Sequence, residues 1–440
     1  MNQPCAVDGD TACQGHAKKQ QLICSAGKWV VNGTCTANNN CDTTPGTSAG
    51  SCQPILAACA AKAAGTNICD GSTAKTCGPD LVTGGVLSMC TGGFCNGAGV
   101  CGECQAETAE CTVGGLRQCS PAGVWGAASA CPSTAPVCTA GACVNPPSCV
   151  GLPATCGAAG NESCCRSGFI PGVAKTATTP YYRSYDGVTA FYLNKGYPAS
   201  VSAYNLDNYP ITVGRFSKFA SVYLQNMTVQ GAGKNPNDPN DTGWDAANWN
   251  GKLDASQTDL KSVVACDAFA TFNAGNPNMP MNCLSWYEAE AFCIWDGGRL
   301  PTELEWNFAA SGGTDQNIYP WGSTKPGMDA TLAVYGCYLN GTGACSGLSN
   351  LATVGSLLAG NGKFGQADLA GNVVQWLRDY GNTAYVSPCD DCSQSIATAY
   401  RGLRGASYND SASFVFSSGR NYDSPIAHKS IEGARCARTR

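Results

Sequence analysis

Histidine is nearly absent from this chain: His16 and His428 are the only two in 440 residues. A metal centre built mainly from imidazoles is therefore excluded. Charge is scarce as well. Only 13% of residues are charged and the net charge is −5. The basic footprint that nucleic-acid binding needs is missing. No apolar run of about 18 residues occurs, so no transmembrane helix is expected. The opening MNQPCAVDGD has neither a basic n-region nor an apolar h-region. A signal peptide thus lies outside this numbering, or export is not visible in it.

What the chain has in excess is cysteine. Of 30 cysteines, 22 fall in residues 1–165 and eight in 166–440. A reducing cytosol would leave them as thiols, so an oxidising extracellular or periplasmic setting is expected. Zinc is the rival reading. The only CxxC pairs are Cys101–Cys104 and Cys389–Cys392, which stand far apart, and disulfides fit better. Residues 1–165 are rich in Gly, Ala, Thr and Ser and poor in large aliphatics, so disulfides must supply their order. Cys69, Cys77, Cys90, Cys95 and Cys101 match Cys111, Cys119, Cys131, Cys138 and Cys143 at offsets of 41 to 43 residues. CSAGKWV at Cys24 echoes CSPAGVW at Cys119. The periodicity predicts disulfide-stapled β-hairpin modules, with Trp29 and Trp125 covering the staples. Such a region suits an extracellular stalk or docking element, or simply a spacer. The adjacent Cys164 and Cys165 are each expected to pair elsewhere, and spacing alone does not give the connectivity.

At this length two or more domains are expected, and composition divides the chain at 1–165 and 166–440. The second part is richer in aromatics and in periodic segments. Thr212 can N-cap a helix with the apolar stripe Val213, Phe216, Phe219, Ala220 and Tyr223. Gly231–Asn250 reads as a long loop carrying Trp244 and Trp249. The most informative stretch is NCLSWYEAEAFCIWDGGRLPTELEWNFAA, from Asn282 to Ala310. Ser285 with Glu288, and Thr302 with Glu305, form two capping boxes. Trp286, Ala289, Phe292 and Cys293 recur at helical spacing and predict one buried face, and Gly297 and Gly298 end that helix.

SWYEAEAFCIWDGGRLPTELEW resembles the signature of the formylglycine-generating enzyme (sulfatase-modifying factor) family. Further blocks follow in the family's order: YPWGS at Tyr319, FGQADLAGNVVQW at Phe364, RGLRGASYNDSASFVFSSGRNYDSP at Arg401, and GARCAR. The resemblance covers about residues 168–440. It implies an α+β fold, an elaborated C-type-lectin-like domain with little regular secondary structure, preceded here by the small disulfide-rich β-hairpin repeats.

The family's enzymes oxidise a cysteine to formylglycine with copper held by two cysteines after the R-x-x-R-G-G-S-W/Y motif. In this chain that motif is Arg401-Gly-Leu-Arg404-Gly405-Ala406-Ser407-Tyr408, and the matching positions are Asp410 and Val415. Asp and Val cannot make a soft Cu(I) site, so copper and the oxidase chemistry are not expected. A second branch of the superfamily resembles three-histidine iron enzymes. Two histidines cannot supply that site, so no iron is expected. Calcium carries over. The resemblance implies Ca²⁺ on the Asp368 side chain, the Gly371 and Val373 carbonyls and the Gln375 side chain, an all-oxygen set of the kind calcium takes. It also implies a Cys293–Cys436 disulfide. Cys266–Cys283, Cys337–Cys345 and Cys389–Cys392 are plausible local pairs, the last also readable as a redox CxxC.

The rim of the family's cleft maps to Arg404, Ser407, Tyr408, Asn409, Asp410, Arg420, Asn421 and Tyr422. Tyr, Asn, Ser and Asp are adaptable contact residues. The expectation is a secreted or surface protein that binds an extracellular protein or glycan, or self-associates, through a calcium-stabilised module. The alternatives are a metal-dependent oxidase with a non-standard site and a building block of an extracellular assembly. The six Asn-x-Ser/Thr sequons, Asn226 and Asn340 among them, are given no role in a chain of bacterial character.

Overall fold

In the computed structural model the described residues are 3–439, apart from 91–93, 113, 133, 176–179, 190–192, 194, 329, 341–342 and 382–383. The Asn340 side chain also lies outside the described set. The chain divides into two units. One comprises Met1–Ala109 with Arg117–Ala127, the other Glu110–Leu116 with Ala128–Arg440. Residues 128–165, cysteine-rich in composition, thus pack with the second unit.

The first unit is built of short antiparallel hairpins. Gln20–Ser25 pairs with Lys28–Thr34 across a two-residue turn. There Ala26 and Gly27 both take positive φ, 51° and 73°, as such a turn requires. A second three-stranded sheet runs Asn67–Asp70, Thr73–Cys77 and Gly84–Met89. The apolar cluster here is small: Cys59, Ile68 and Cys77, with Leu56, Ala58 and Leu81 against it. Trp29 stands opposite Cys24 and Trp125 opposite Cys119 in their pairings. The buried Asp80 ties distant turns together by accepting from Ala17 N (3.0 Å) and Thr43 N (2.6 Å).

Disulfides order this part of the chain. Residues 5–143 hold three consecutive sets of six cysteines with one connectivity, first to third, second to fifth, fourth to sixth. The sets are Cys5–Cys24, Cys13–Cys41 and Cys35–Cys52; then Cys59–Cys77, Cys69–Cys95 and Cys90–Cys101; then Cys104–Cys119, Cys111–Cys138 and Cys131–Cys143. The sequence repeat is therefore a repeat of wiring. Cys164 and Cys165 bond to Cys156 and Cys149. Cys266–Cys283, Cys293–Cys436, Cys337–Cys345 and Cys389–Cys392 complete the set, and no cysteine is free.

The second unit carries five α-helices among its described residues: α1 (Val213–Val222), α2 (Ala246–Trp249), α3 (Gln257–Val263), α4 (Trp286–Trp295) and α5 (Glu303–Ala310). Thr212 caps α1, and α4 and α5 each start with a complete capping box. Gly297 follows α4 at φ 82°, the left-handed turn that stops it. A four-stranded sheet runs Asn421–Asp423, Arg401–Arg404, Val374–Tyr380, Glu432–Gly433, with its last pairing parallel. The core lies between α1, α4 and this sheet. Phe216 and Phe219 pack on Phe292, and the Trp286 indole donates to the Leu377 carbonyl at 2.8 Å.

Helix α4 departs from its amphipathic reading. Every residue from Trp286 to Cys293 is buried, including Glu288 and Glu290. Glu290 is tolerated because it ion-pairs with Arg378 and accepts Leu300 N at 2.7 Å. Burial still pushes its carboxyl up.

Charge is also buried in a closed quartet. Arg215 reaches Asp207 (2.8 Å) and Asp296 (2.6 Å), while Arg438 pairs with Asp207 and with Asp296 (2.8 Å). All four side chains are 0–1% exposed. Ser148 joins them, its N donating to Asp296 at 3.0 Å and its Oγ accepting from Arg215 Nε at 3.0 Å. This anchors the disulfide loop around Cys149 to α1. Arg215→Met leaves two buried carboxylates with one cation, and should cost about 3–5 kcal/mol in urea unfolding. A loss under about 1 kcal/mol would mean the quartet is not needed for stability.

Glu288 bonds to a helix cap and an imidazole, and faces Asp254, whose carboxyl is pushed up to about 7 by burial and by Glu288. Its Oε2 accepts Ser285 N in the capping box, and its Oε1 lies 2.9 Å from His428 Nε2. Burial works to lower the His428 pKa, but the hydrogen bond and charge of Glu288 outweigh it and hold the imidazole above its usual value. A raised folded pKa gives stability that is complete below about pH 6.5 and is lost as pH rises through the folded value. His428→Gln should therefore destabilise more at about pH 5.5 than at about pH 9, read as urea midpoints at both.

Candidate functional site

The rim begins where strand Arg401–Arg404 leaves the sheet. Gly405 (φ 102°) and Ala406 (φ 58°) turn the chain sharply, and a Cβ on Gly405 would meet Leu369 O and Trp306 at 3.0 Å. The turn from Ser407 to Asp410 then closes on itself. The Asp410 carboxylate accepts from Ser407 N (2.8 Å) and Ser407 Oγ (2.7 Å), and Oγ also lies 2.9 Å from Asn409 Oδ1.

The rim residues divide into two groups. Arg404, Ser407 and Tyr408 are buried. Arg404 donates to the Ser417 and Gly419 carbonyls, to Ser184 Oγ (2.6 Å), to Tyr385 Oη (2.9 Å) and to Glu303 (2.6 Å). Tyr408 stacks on Phe269, with centroids 5.5 Å apart, and burial pushes its phenol up. These three hold the framework. Asn409, Asn421 and Tyr422 are exposed, while Asp410 and Arg420 are partly so. Arg420 reaches Glu303 at 2.9 Å. Burial works to raise the Glu303 carboxyl, but Arg404 and Arg420 together hold it below its usual range. Glu303, Ser184 and Tyr385 were not among the expected site residues: they lie 101, 220 and 19 residues from Arg404, and only Glu303 falls within a motif, the LPTELEW end of the family signature.

At the family's copper positions, Asp410 is engaged with Ser407, and Val415 is fully buried in an apolar cluster with Tyr319, Tyr335, Ala370 and Ala406. The cavity lined by Arg404, Asp410, Phe414, Arg420 and Asn421 measures about 10 Å³. That is the size of a single water site.

The calcium loop can be tested on its donors. Asp368 accepts Gly355 N at 2.7 Å. Burial pushes its carboxyl up, against the Gly355 hydrogen bond and the Arg435 charge. A cation would relieve that cost. Among the described residues no hydrogen bond to the Gly371 or Val373 carbonyl is found, so both remain available. Gly371 (φ 82°) has no room for a Cβ, which would come within 2.3 Å of Val334 O. Gln375 is differently employed. Its Oε1 accepts from Trp306 Nε1 (2.8 Å) and Arg435 Nε (2.7 Å), and its Nε2 donates to the Asp368 carbonyl at 2.7 Å. The Gly371 and Val373 carbonyls thus stay open, while Gln375, expected as a fourth ligand, is engaged on both its amide atoms in bracing the loop. Among the described residues, the only cluster of three or more His, Cys, Asp or Glu ligand atoms is Cys266, Asp267 and Cys283, whose two sulfurs are bonded to each other.

The fold and this site define a domain of the formylglycine-generating-enzyme type behind a disulfide-rich region. Residues 194–440 match the sulfatase-modifying factor enzyme 1-like domain, more than half of the chain, and the chain belongs to that family. It is 37% identical over 133 residues to the inactive C-alpha-formylglycine-generating enzyme 2 of Bos taurus, covering 30% of this chain and 40% of that protein. It is 41% identical over 107 residues to the formylglycine-generating enzyme of Thermomonospora curvata, covering 24% and 34%. The alignments therefore span well under half the length of these relatives. Among solved structures, PvdO from Pseudomonas aeruginosa matches 62% of this chain and 94% of its own, at TM-score 0.42 and 18% identity.

Proposed function

We propose that this protein is secreted or surface-exposed, and that its family domain is a calcium-stabilised binding or structural module and not a formylglycine oxidase. The observation that carries the reading is the state of the copper positions. Asp410 is bonded to Ser407, Val415 is sealed among apolar side chains, and all cysteines are in disulfides. A Cu(I) site needs soft thiolates, and none is present to supply them. The likeness to a relative named as inactive supports the same reading. Fifteen disulfides support an oxidising location, and no described helix is long and apolar enough to cross a membrane. The exposed Asn409, Asn421 and Tyr422 offer contact chemistry for an extracellular protein or glycan.

Copper chemistry is tested by titrating the purified chain with Cu(I) against a competing chelator, then following oxygen uptake with a thiol peptide. Neither stoichiometric copper nor oxygen uptake is expected. Tight Cu(I) binding with turnover would sink the proposal.

Calcium is tested by unfolding in calcium and in chelator. At a free ion concentration 100-fold above Kd, calcium should add about 2.7 kcal/mol. Asp368→Asn should remove most of that gain. Identical unfolding curves in both conditions would take calcium out of the reading.

A further inference from the structure

The second unit contains a cavity of about 390 Å³, lined by segment 240–249, strand Val374–Tyr380, residues 393–397 and Arg401. Its volume falls in the range of small-ligand sites, about 300–1,000 Å³. The rim residues Ser407 to Tyr422 do not line it.

Its floor holds a cation without a counter-charge. The Arg401 guanidinium is clamped between the Trp286 and Tyr380 rings, 3.6 Å from each centroid, with Trp249 at 5.2 Å. The residue is 4% exposed. One terminal nitrogen donates to the Arg378 carbonyl at 2.6 Å, while Nε has no partner. Five other buried arginines of this unit, Arg215, Arg299, Arg378, Arg404 and Arg438, each hold a carboxylate, while Arg183 and Arg435 hold neutral acceptors and do not line the cavity. Arg401 holds none. Burial pulls its pKa down to about 10, with two ring faces and one backbone carbonyl as its direct contacts. The nearby Asp241 carboxylate cannot answer it, since it is taken by Arg378 at 2.6 Å and by Asn235 N and Gly243 N.

The walls are of two kinds. Trp249 is half-buried and lines the cavity with an aromatic ring held edge-to-face by Trp244 and Trp286. Opposite in character are Asn240, Asp245 and Asn248, which offer amide and carboxylate groups beside the engaged Asp241. A ligand filling this cavity therefore needs an acidic group for Arg401, a flat C–H face for Trp249, and hydroxyls for the polar wall. We propose that this cavity binds a saccharide acid, a pyranose carrying a carboxylate, with the carboxylate on Arg401 and the ring on Trp249.

This goes beyond the reading of the family domain as a non-oxidase module, since it uses a different cavity, and the copper and calcium results stand whatever the sugar titration gives. The test uses the full chain, titrated calorimetrically and by tryptophan fluorescence with D-glucuronate and D-galacturonate, with D-glucose and D-galactose as neutral counterparts. At least one uronate should bind, with its neutral counterpart weaker by about tenfold or more. Trp249→Ala and Arg401→Gln should each weaken that binding by about tenfold or more. Should Arg401→Gln fail to fold, Trp249→Ala alone decides. No binding of either uronate at about 10 mM, equal binding of acid and neutral sugar, or binding unchanged in Trp249→Ala would each overturn the proposal.

Discussion

Five acceptors converge on the buried guanidinium of Arg435: the carbonyls of Asp207, Asn208, Ala367 and Asp368, and Gln375 Oε1. The family domain depends on this kind of contact. It has few helices and short strands, so much buried backbone lies outside any ladder and still needs partners. Arginine supplies five donors in a fixed fork and stays charged. Here it does for loops what a sheet does for strands. The cost is visible in Arg435 itself, whose pKa burial draws down to about 10. Arg404 plays the same part under the rim, and Asn282 does so with the carbonyls of Phe269 and Ser430.

Under the proposed reading, this is how the family signature persists without copper chemistry. Arg404 and Ser407 stand inside the motif that precedes the copper cysteines in the oxidases. In this chain both are buried and bonded to backbone and to Glu303 or Asp410. Both residues thus serve the fold itself. At the two following positions an acid and an aliphatic fit the same framework, Asp410 bonded to Ser407 and Val415 packed among apolar side chains.

Much of the local structure was legible beforehand. Both capping boxes, the Thr212 cap and the Gly297 stop are set by contacts within a few residues, and these are written in adjacent letters. The pairing of Cys293 with Cys436, 143 residues apart, was legible only through the resemblance. The full burial of α4 was not, since Glu290 looks solvent-facing until Arg378, 88 residues on, is placed beside it. In the sequence the rim is a set of contact residues from Arg404 to Tyr422 with nothing to separate framework from surface. Its division into buried Arg404, Ser407 and Tyr408 and exposed Asn409, Asn421 and Tyr422 depends on Glu303, Tyr385 and Phe269, none of them near in sequence. The cavity at Arg401 was hidden for the same reason: Trp249, Trp286, Tyr380 and Arg401 come from four separate segments.

The threefold wiring of residues 5–143 has a consequence for how this region can change. No disulfide leaves its own set of six, so inserting or deleting a whole set strands no sulfur. Losing part of a set together with some of its cysteines would leave unpaired thiols to scramble with the rest during oxidation. The cysteine count in this region is thereby quantised: loops between cysteines can change length, but cysteines come and go by whole sets, and a chain with a fractional set would mark itself by an unpaired cysteine.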